Sequence, residues 1–155
     1  MSRDLNQIRL GAVPNLRVKK NPSISRYLLV FLLGCNETIY AQRGIITSEN
    51  YPDNYPPSTI CTYHIQAPPG IKLKLTVDMM DIENDKKCSY DFVRVKNSQT
   101  WLTDRICGNR PMSPLVIPDN NLYIYFESDD ENQYKGFKVE FNHVLPEPSK
   151  SIVNY

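Results

Sequence analysis

A chain of 155 residues, 41% hydrophobic with ten tyrosines and twelve prolines, has room for one domain with a modest core and is too apolar for a disordered polymer. Its formal charge of +1 conceals an asymmetry: residues 1–34 hold six Lys/Arg against one acid, and residues 35–155 hold twelve against sixteen, a net of −4. Such an acidic body gives no reason to expect nucleic acid, whose phosphates require a positive stripe.

The first feature in chain order is RYLLVFLLGC at 26–35. Its apolar run falls short of the roughly 20 residues a membrane-crossing helix needs, and it matches the apolar region of a signal peptide. Arg17, Lys19, Lys20 and Arg26 supply the positive flank, so residues 1–34 read as a signal peptide or a disordered basic leader. Cleavage after Gly34 keeps Cys35, whereas cleavage after Ala41 discards it and orphans a thiol, which favours retention. LLGC is also similar to the lipid-attachment sequence of bacterial lipoproteins, a reading against which the rest of the chain argues. Four cysteines, Cys35, Cys61, Cys88 and Cys107, with long gaps and no C-x-x-C pair, fit disulfides in an oxidising compartment better than zinc or a redox dithiol. Pairing by neighbours is the simplest of three connectivities. Asn36-Glu37-Thr38 is a glycosylation sequon that supports the same compartment.

The body reads as strands. ICTYHIQ at 60–66 is one candidate, and from Ile71 to Met80 the alternation places Ile71, Leu73, Leu75, Val77 and Met79 on a single face. Further candidates are YDFVRVK at 90–96, TWLTDRIC at 100–107, NLYIYFE at 121–127 and GFKVEF at 136–141, divided by Pro68-Pro69-Gly70, Asn97-Ser98 and GNRPMSP. No window offers a helical stripe. The expected fold is all-β, an antiparallel β-sandwich in which two disulfides each contribute about 3 kcal/mol. The tail at 145–155 reads as a linker or exposed end.

C-x8-GIITSENYPDNYP at 35–56, Cys61, CSYDFVRV at 88–95, RICG at 105–108 and FESDDENQYKGFKVEF at 126–141 together resemble a CUB domain of the calcium-binding type. The resemblance implies a jelly-roll-like sandwich over residues 35–144 with neighbouring cysteines paired, used outside cells to bind proteins and not as a catalyst. It also implies a calcium site in which the acids of the D-I-E, Y-D and S-D elements fall on Glu83, Asp91 and Asp129, with Tyr55 hydrogen-bonded to Glu83. Calcium prefers about 6 to 8 hard oxygens, which three carboxylates, carbonyls and water can supply. Glu131 departs from the family pattern, where a small residue is usual. In this picture Cys88 anchors the segment between Glu83 and Asp91, so that both can face Asp129.

Three carboxylates around a divalent cation leave about one negative charge for an incoming lysine or arginine. The expected function is therefore calcium-dependent capture of a basic side chain by Tyr55, Glu83, Asp129 and Asp130, in a secreted protein or an ectodomain with extracellular or membrane-receptor protein partners. No small-molecule substrate is expected. The alternative is a calcium-independent carbohydrate- or protein-binding surface. An acid-pair hydrolase is disfavoured, since the spacing of the acids is accounted for by a cation. Zinc and a Ser-His-Asp triad are disfavoured because only His64 and His143 are present and no serine sits in a nucleophile elbow. Trp101, Tyr123 and Tyr125 are read as cross-strand packing before a contact surface.

Overall fold

The computed structural model describes residues 30–32, 35–110 and 112–145. Of the leader read at 1–34 only Val30–Leu32 is included, and the tail from 146 onward lies outside the described residues.

Nine strands follow in order: β1 (Val30–Leu32), β2 (Thr38–Ile39), β3 (Arg43–Thr47), β4 (Ile60–Gln66), β5 (Lys72–Asp81), β6 (Phe92–Lys96), β7 (Leu115–Ile117), β8 (Asn121–Glu127) and β9 (Gly136–Val144). They form a five-stranded sheet ordered β1-β3-β9-β5-β7 and a four-stranded sheet ordered β2-β4-β8-β6. Pairing is antiparallel except for the short outer pairs β1–β3 and β2–β4, which run parallel. The all-β sandwich expected from the alternation is thus what the chain forms.

Period-two burial explains why each sheet turns one face inward. Leu122, Ile124 and Phe126 on β8 are buried, as are Tyr63 and Ile65 on β4 and Phe137, Val139 and Phe141 on β9. At the centre Phe126 makes edge contacts with Tyr55 (ring centroids 5.1 Å apart) and Phe137 (5.6 Å), geometry that contributes about 0.5–1.5 kcal/mol per pair beyond area burial. Both neighbour disulfides form, Cys35–Cys61 and Cys88–Cys107, with Cα separations of 5.2 and 5.5 Å.

Three expectations change. The alternation from Ile71 breaks at a bulge between Val77 and Met79. An extra residue there reverses the facing, so Met80, not Met79, is buried, and Ile82 follows it inward. Residues 100–107 are not a strand; they cross the edge of β6 with isolated bridges at Trp101 and Ile106. The short strands β2, β3 and β7 carry too few alternating residues for periodicity to expose them.

Because neighbours in both sheets run mainly antiparallel, the end of β5, the start of β6 and the end of β8 meet at one end of the sandwich. Glu83, Asp91 and Asp129 lie within two residues of those termini.

Candidate metal centre

Tyr55 enters this end from the loop 48–59, whose Tyr51–Pro52 bond is cis. Its amide donates to the Tyr134 carbonyl at 3.0 Å. Behind it Gly136 adopts φ +85°, and a Cβ there would lie 1.8 Å from Ser48 Oγ and 3.3 Å from the Tyr55 ring. Glycine is required by conformation and by space, which gives the G-F pair of the sequence its physical meaning. Ser128 ties the same loop to β8, its hydroxyl donating to the Pro56 carbonyl at 2.9 Å and accepting the Thr59 amide at 3.1 Å.

Asp91 is the hub, and it is only 1% exposed. Oδ2 accepts the Tyr55 hydroxyl at 2.5 Å, and Oδ1 accepts the Asp129 amide at 2.7 Å. The Tyr55 oxygen in turn accepts the Glu83 amide at 3.2 Å. One phenol therefore links the backbone of Glu83 to the carboxylate of Asp91. The expected Tyr55–Glu83 hydrogen bond is present through the Glu83 backbone, while the single hydroxyl proton goes to the carboxylate of Asp91. Tyr55 is 1% exposed, so it positions the acids and does not itself reach a partner. Burial and the Asp91 hydrogen bond hold its phenol far above the usual range, so it remains a donor.

Glu83 accepts from Asn132 Nδ2 at 3.0 Å through Oε1, while Oε2 is buried with no hydrogen-bond partner. Asp129 Oδ1 accepts the Glu131 amide at 2.9 Å, closing a small turn. One carboxylate oxygen from each of Glu83, Asp91 and Asp129 can be chosen so that all three lie within 4.8 Å of one another. Burial and the neighbouring Asp91, Asp129 and Glu131 charges push the Glu83 carboxyl up, although Asn132 opposes them. Burial likewise raises Asp91, with the Asp129 charge adding to it, against the Tyr55 and Asp129 hydrogen bonds. These are groups in want of a cation. An all-oxygen set with an orphaned buried carboxylate oxygen fits a hard divalent ion such as calcium and not a soft-ligand metal.

The segment between the first two acids is fixed locally as well as by Cys88–Cys107. Asp85 Oδ2 accepts the amides of Lys87 and Ser89, both at 3.1 Å, and these bonds hold its carboxyl below the usual range. Asp130 and Glu131 are exposed at the rim. Sequence reasoning missed Asn132 and Ser128, polar loop residues whose roles depend on contacts 49 and 72 positions away. Of the other singled-out residues, exposed Asn36 is paired to Thr62 in both directions, amide to carbonyl at 3.0 Å and Oδ1 accepting at 3.1 Å. His64 lies on the outer face of the four-stranded sheet, bonded to Thr38 and Asn121.

Comparison with known proteins agrees with this architecture. The profile described as "CUB domain" matches residues 35–141. Human Tolloid-like protein 1 is 38% identical over 108 residues, covering 68% of this chain and 11% of that protein. The full extracellular region of zebrafish Gpr126/Adgrg6 superposes with a TM-score of 0.67 at 32% identity, covering 72% of this chain and 15% of that one. The MASP-1 CUB2 domain bound to Ca2+ superposes with a TM-score of 0.66 at 27% identity, covering 70% of this chain and 99% of that one. This chain thus spans a small part of the curated relatives it matches, 11% or 3% for Tolloid-like protein 1 and human cubilin. With the sandwich, the two neighbour disulfides and this match over residues 35–141, the chain belongs to the CUB domain family of non-catalytic protein-interaction modules.

Proposed function

We propose that the chain is an extracellular protein-binding module that holds calcium through Glu83, Asp91 and Asp129 and captures a lysine or arginine of a partner protein there. The observation that carries this reading is the convergence of the three carboxylates within 4.8 Å, with Glu83 Oε2 buried and unpartnered. The calcium-bound MASP-1 CUB2 neighbour supports the choice of ion, and the two disulfides support the compartment.

A bound calcium ion supplies two positive charges where the carboxylates otherwise repel. Asp91, held by Tyr55 and by the Asp129 amide, fixes the inner wall of the site. Glu83 and Asp129, both part-exposed, present the outer oxygens, and Asp130 adds charge at the rim. Three acids against one divalent ion leave net negative charge, which favours a charge-assisted hydrogen bond to an ammonium or guanidinium group. Exposed Glu131 adds to that charge and favours a partner carrying more than one cation.

A lysine- and arginine-containing peptide, immobilised and probed in calcium, should retain the chain and release it in excess chelator. Glu83→Gln should bind at least about 10-fold more weakly. Equal retention in chelator would exclude the mechanism.

A further inference from the structure

A second chemistry occupies the outer face of the four-stranded sheet. With Val93 and Val95 buried, β6 turns Arg94 and Lys96 to the outer face, opposite Tyr125 and Tyr123 of β8, while Phe92, paired with Glu127, is itself buried. His64 of β4 stacks on Tyr123 with centroids 4.2 Å apart and planes 6° from parallel. Lys96 Nζ lies 4.9 Å from the Tyr123 ring centre and 5.6 Å from that of Trp101. Arg94 Cζ sits 4.0 Å from the Trp101 centre, its guanidinium bonded to the Thr103 carbonyl, and Arg105 covers Phe92 at 4.0 Å.

Trp101 remains 41% exposed and Ile60, at the margin, 59%. Among the described residues the one ion pair joins Lys138 to Asp78, so none of Arg94, Lys96 and Arg105 has a carboxylate within 4.0 Å. Three cations held in place by aromatic rings and by a backbone carbonyl thus make no ion pair, and the one carboxylate that β8 presents beside them, Glu127, accepts the Tyr125 hydroxyl at 2.8 Å.

We propose that this face, centred on Arg94, Lys96, Trp101 and Tyr123, is a second and calcium-independent interaction surface for a carboxylate-bearing segment of a partner protein. Charge complementarity selects the acid. The residue types select a protein, because an exposed Trp beside part-exposed Tyr and Arg brings together the side chains that dominate protein interfaces. The guanidinium, already oriented on the Trp101 ring, loses little freedom when it meets a carboxylate. A polyanionic chain is disfavoured: three cations on an acidic body make no continuous positive stripe. This surface does not depend on the calcium site.

Trp101 is the single tryptophan of the chain, so its emission reports on the face directly. A synthetic peptide of alternating glutamate and leucine, free of aromatics, is titrated into the full chain in calcium and in chelator. The emission should change saturably in both, with affinity falling as salt rises. Arg94→Gln combined with Lys96→Gln should weaken binding at least about 10-fold, while Glu83→Gln leaves it unchanged. Should the double variant melt early, Lys96→Glu, which keeps Arg94 on Trp101, carries the same comparison. The proposal is overturned by an emission that does not respond, by a response that vanishes in chelator, or by saturable binding of a sulfated oligosaccharide where the peptide fails.

Discussion

At the Asp91 end of the sandwich the loops are tied by side chains: Tyr55 to Asp91, Asn132 to Glu83, Ser128 to the loop 48–59. At the opposite end the turns close through backbone bonds, Ala67 to Asn120 at 2.8 Å and Ile71 to Pro68 at 3.1 Å, and through side chains, Asp119 accepting the Ser98 amide at 2.9 Å and Asn120 Nδ2 donating to the Ala67 carbonyl at 2.9 Å. There Tyr40, Ala41, Ala67, Pro68, Pro69 and His143 border a cavity of about 390 Å³, and His143 Nε2 is buried without a partner. The contrast teaches where the fold has gathered unpaired charge: one end brings three carboxylates together short of a cation, the other satisfies its one acid, Asp119, with the Ser98 and Asn121 amides and leaves a single imidazole nitrogen unpartnered.

The sharpest way to break that contrast is Asp91→Ala. It leaves the Tyr55 hydroxyl and the Asp129 amide without their acceptor and should cost about 3 kcal/mol in urea unfolding, besides abolishing the calcium response. A loss below about 1 kcal/mol would mean that the network does not hold the end together. Tyr55→Phe keeps the ring against Phe126 but removes the hydroxyl, so unfolding should register about 1–2 kcal/mol and calcium titration about a 10-fold weaker affinity.

Glu83→Gln sharpens the comparison from the other side. Its carboxyl is pushed up by burial and by neighbouring acids, so the charge is a burden to the metal-free fold. Melting in chelator should therefore be unchanged or slightly higher in the variant, while calcium no longer raises it. A markedly lower melting point in chelator would assign Glu83 a structural role instead.

The smallest effect belongs to the far end. Burial depresses His143 below its ordinary 6.5, so the unfolded chain binds the proton more readily than the folded one. Stability from this group is complete above about 6.5 and declines as the pH falls toward the depressed folded value. The melting temperature should drop between pH 7.5 and 5.5, and His143→Gln should flatten that slope; equal slopes would place the titration elsewhere.

Much of this was legible because sandwich strands announce themselves by alternation: β4 and β8 match the segments read from the sequence, and β9 extends its segment by three residues. The facing of β5 beyond Val77 was not, since a bulge leaves the apolar pattern intact while reversing it in space. The three acids were found through motif resemblance, each at the end of a different strand. What their spacing could not reveal is that Tyr55 would join two of them at once, donating its hydroxyl to the Asp91 carboxylate while accepting the Glu83 amide. Trp101, Arg94 and Lys96 show the reverse case. Cross-strand packing was the expectation and the contacts exist, yet a packed ring can remain exposed and carry cations on its face.

Thermal melting across a calcium titration examines the convergence of Glu83, Asp91 and Asp129 most directly, because an ion that binds only the folded chain stabilises it by mass action. At about 100 times the dissociation constant the expected rise is on the order of 10 °C for the native sequence and none for Glu83→Gln. A native melting temperature that stays constant up to millimolar calcium would contradict the assignment.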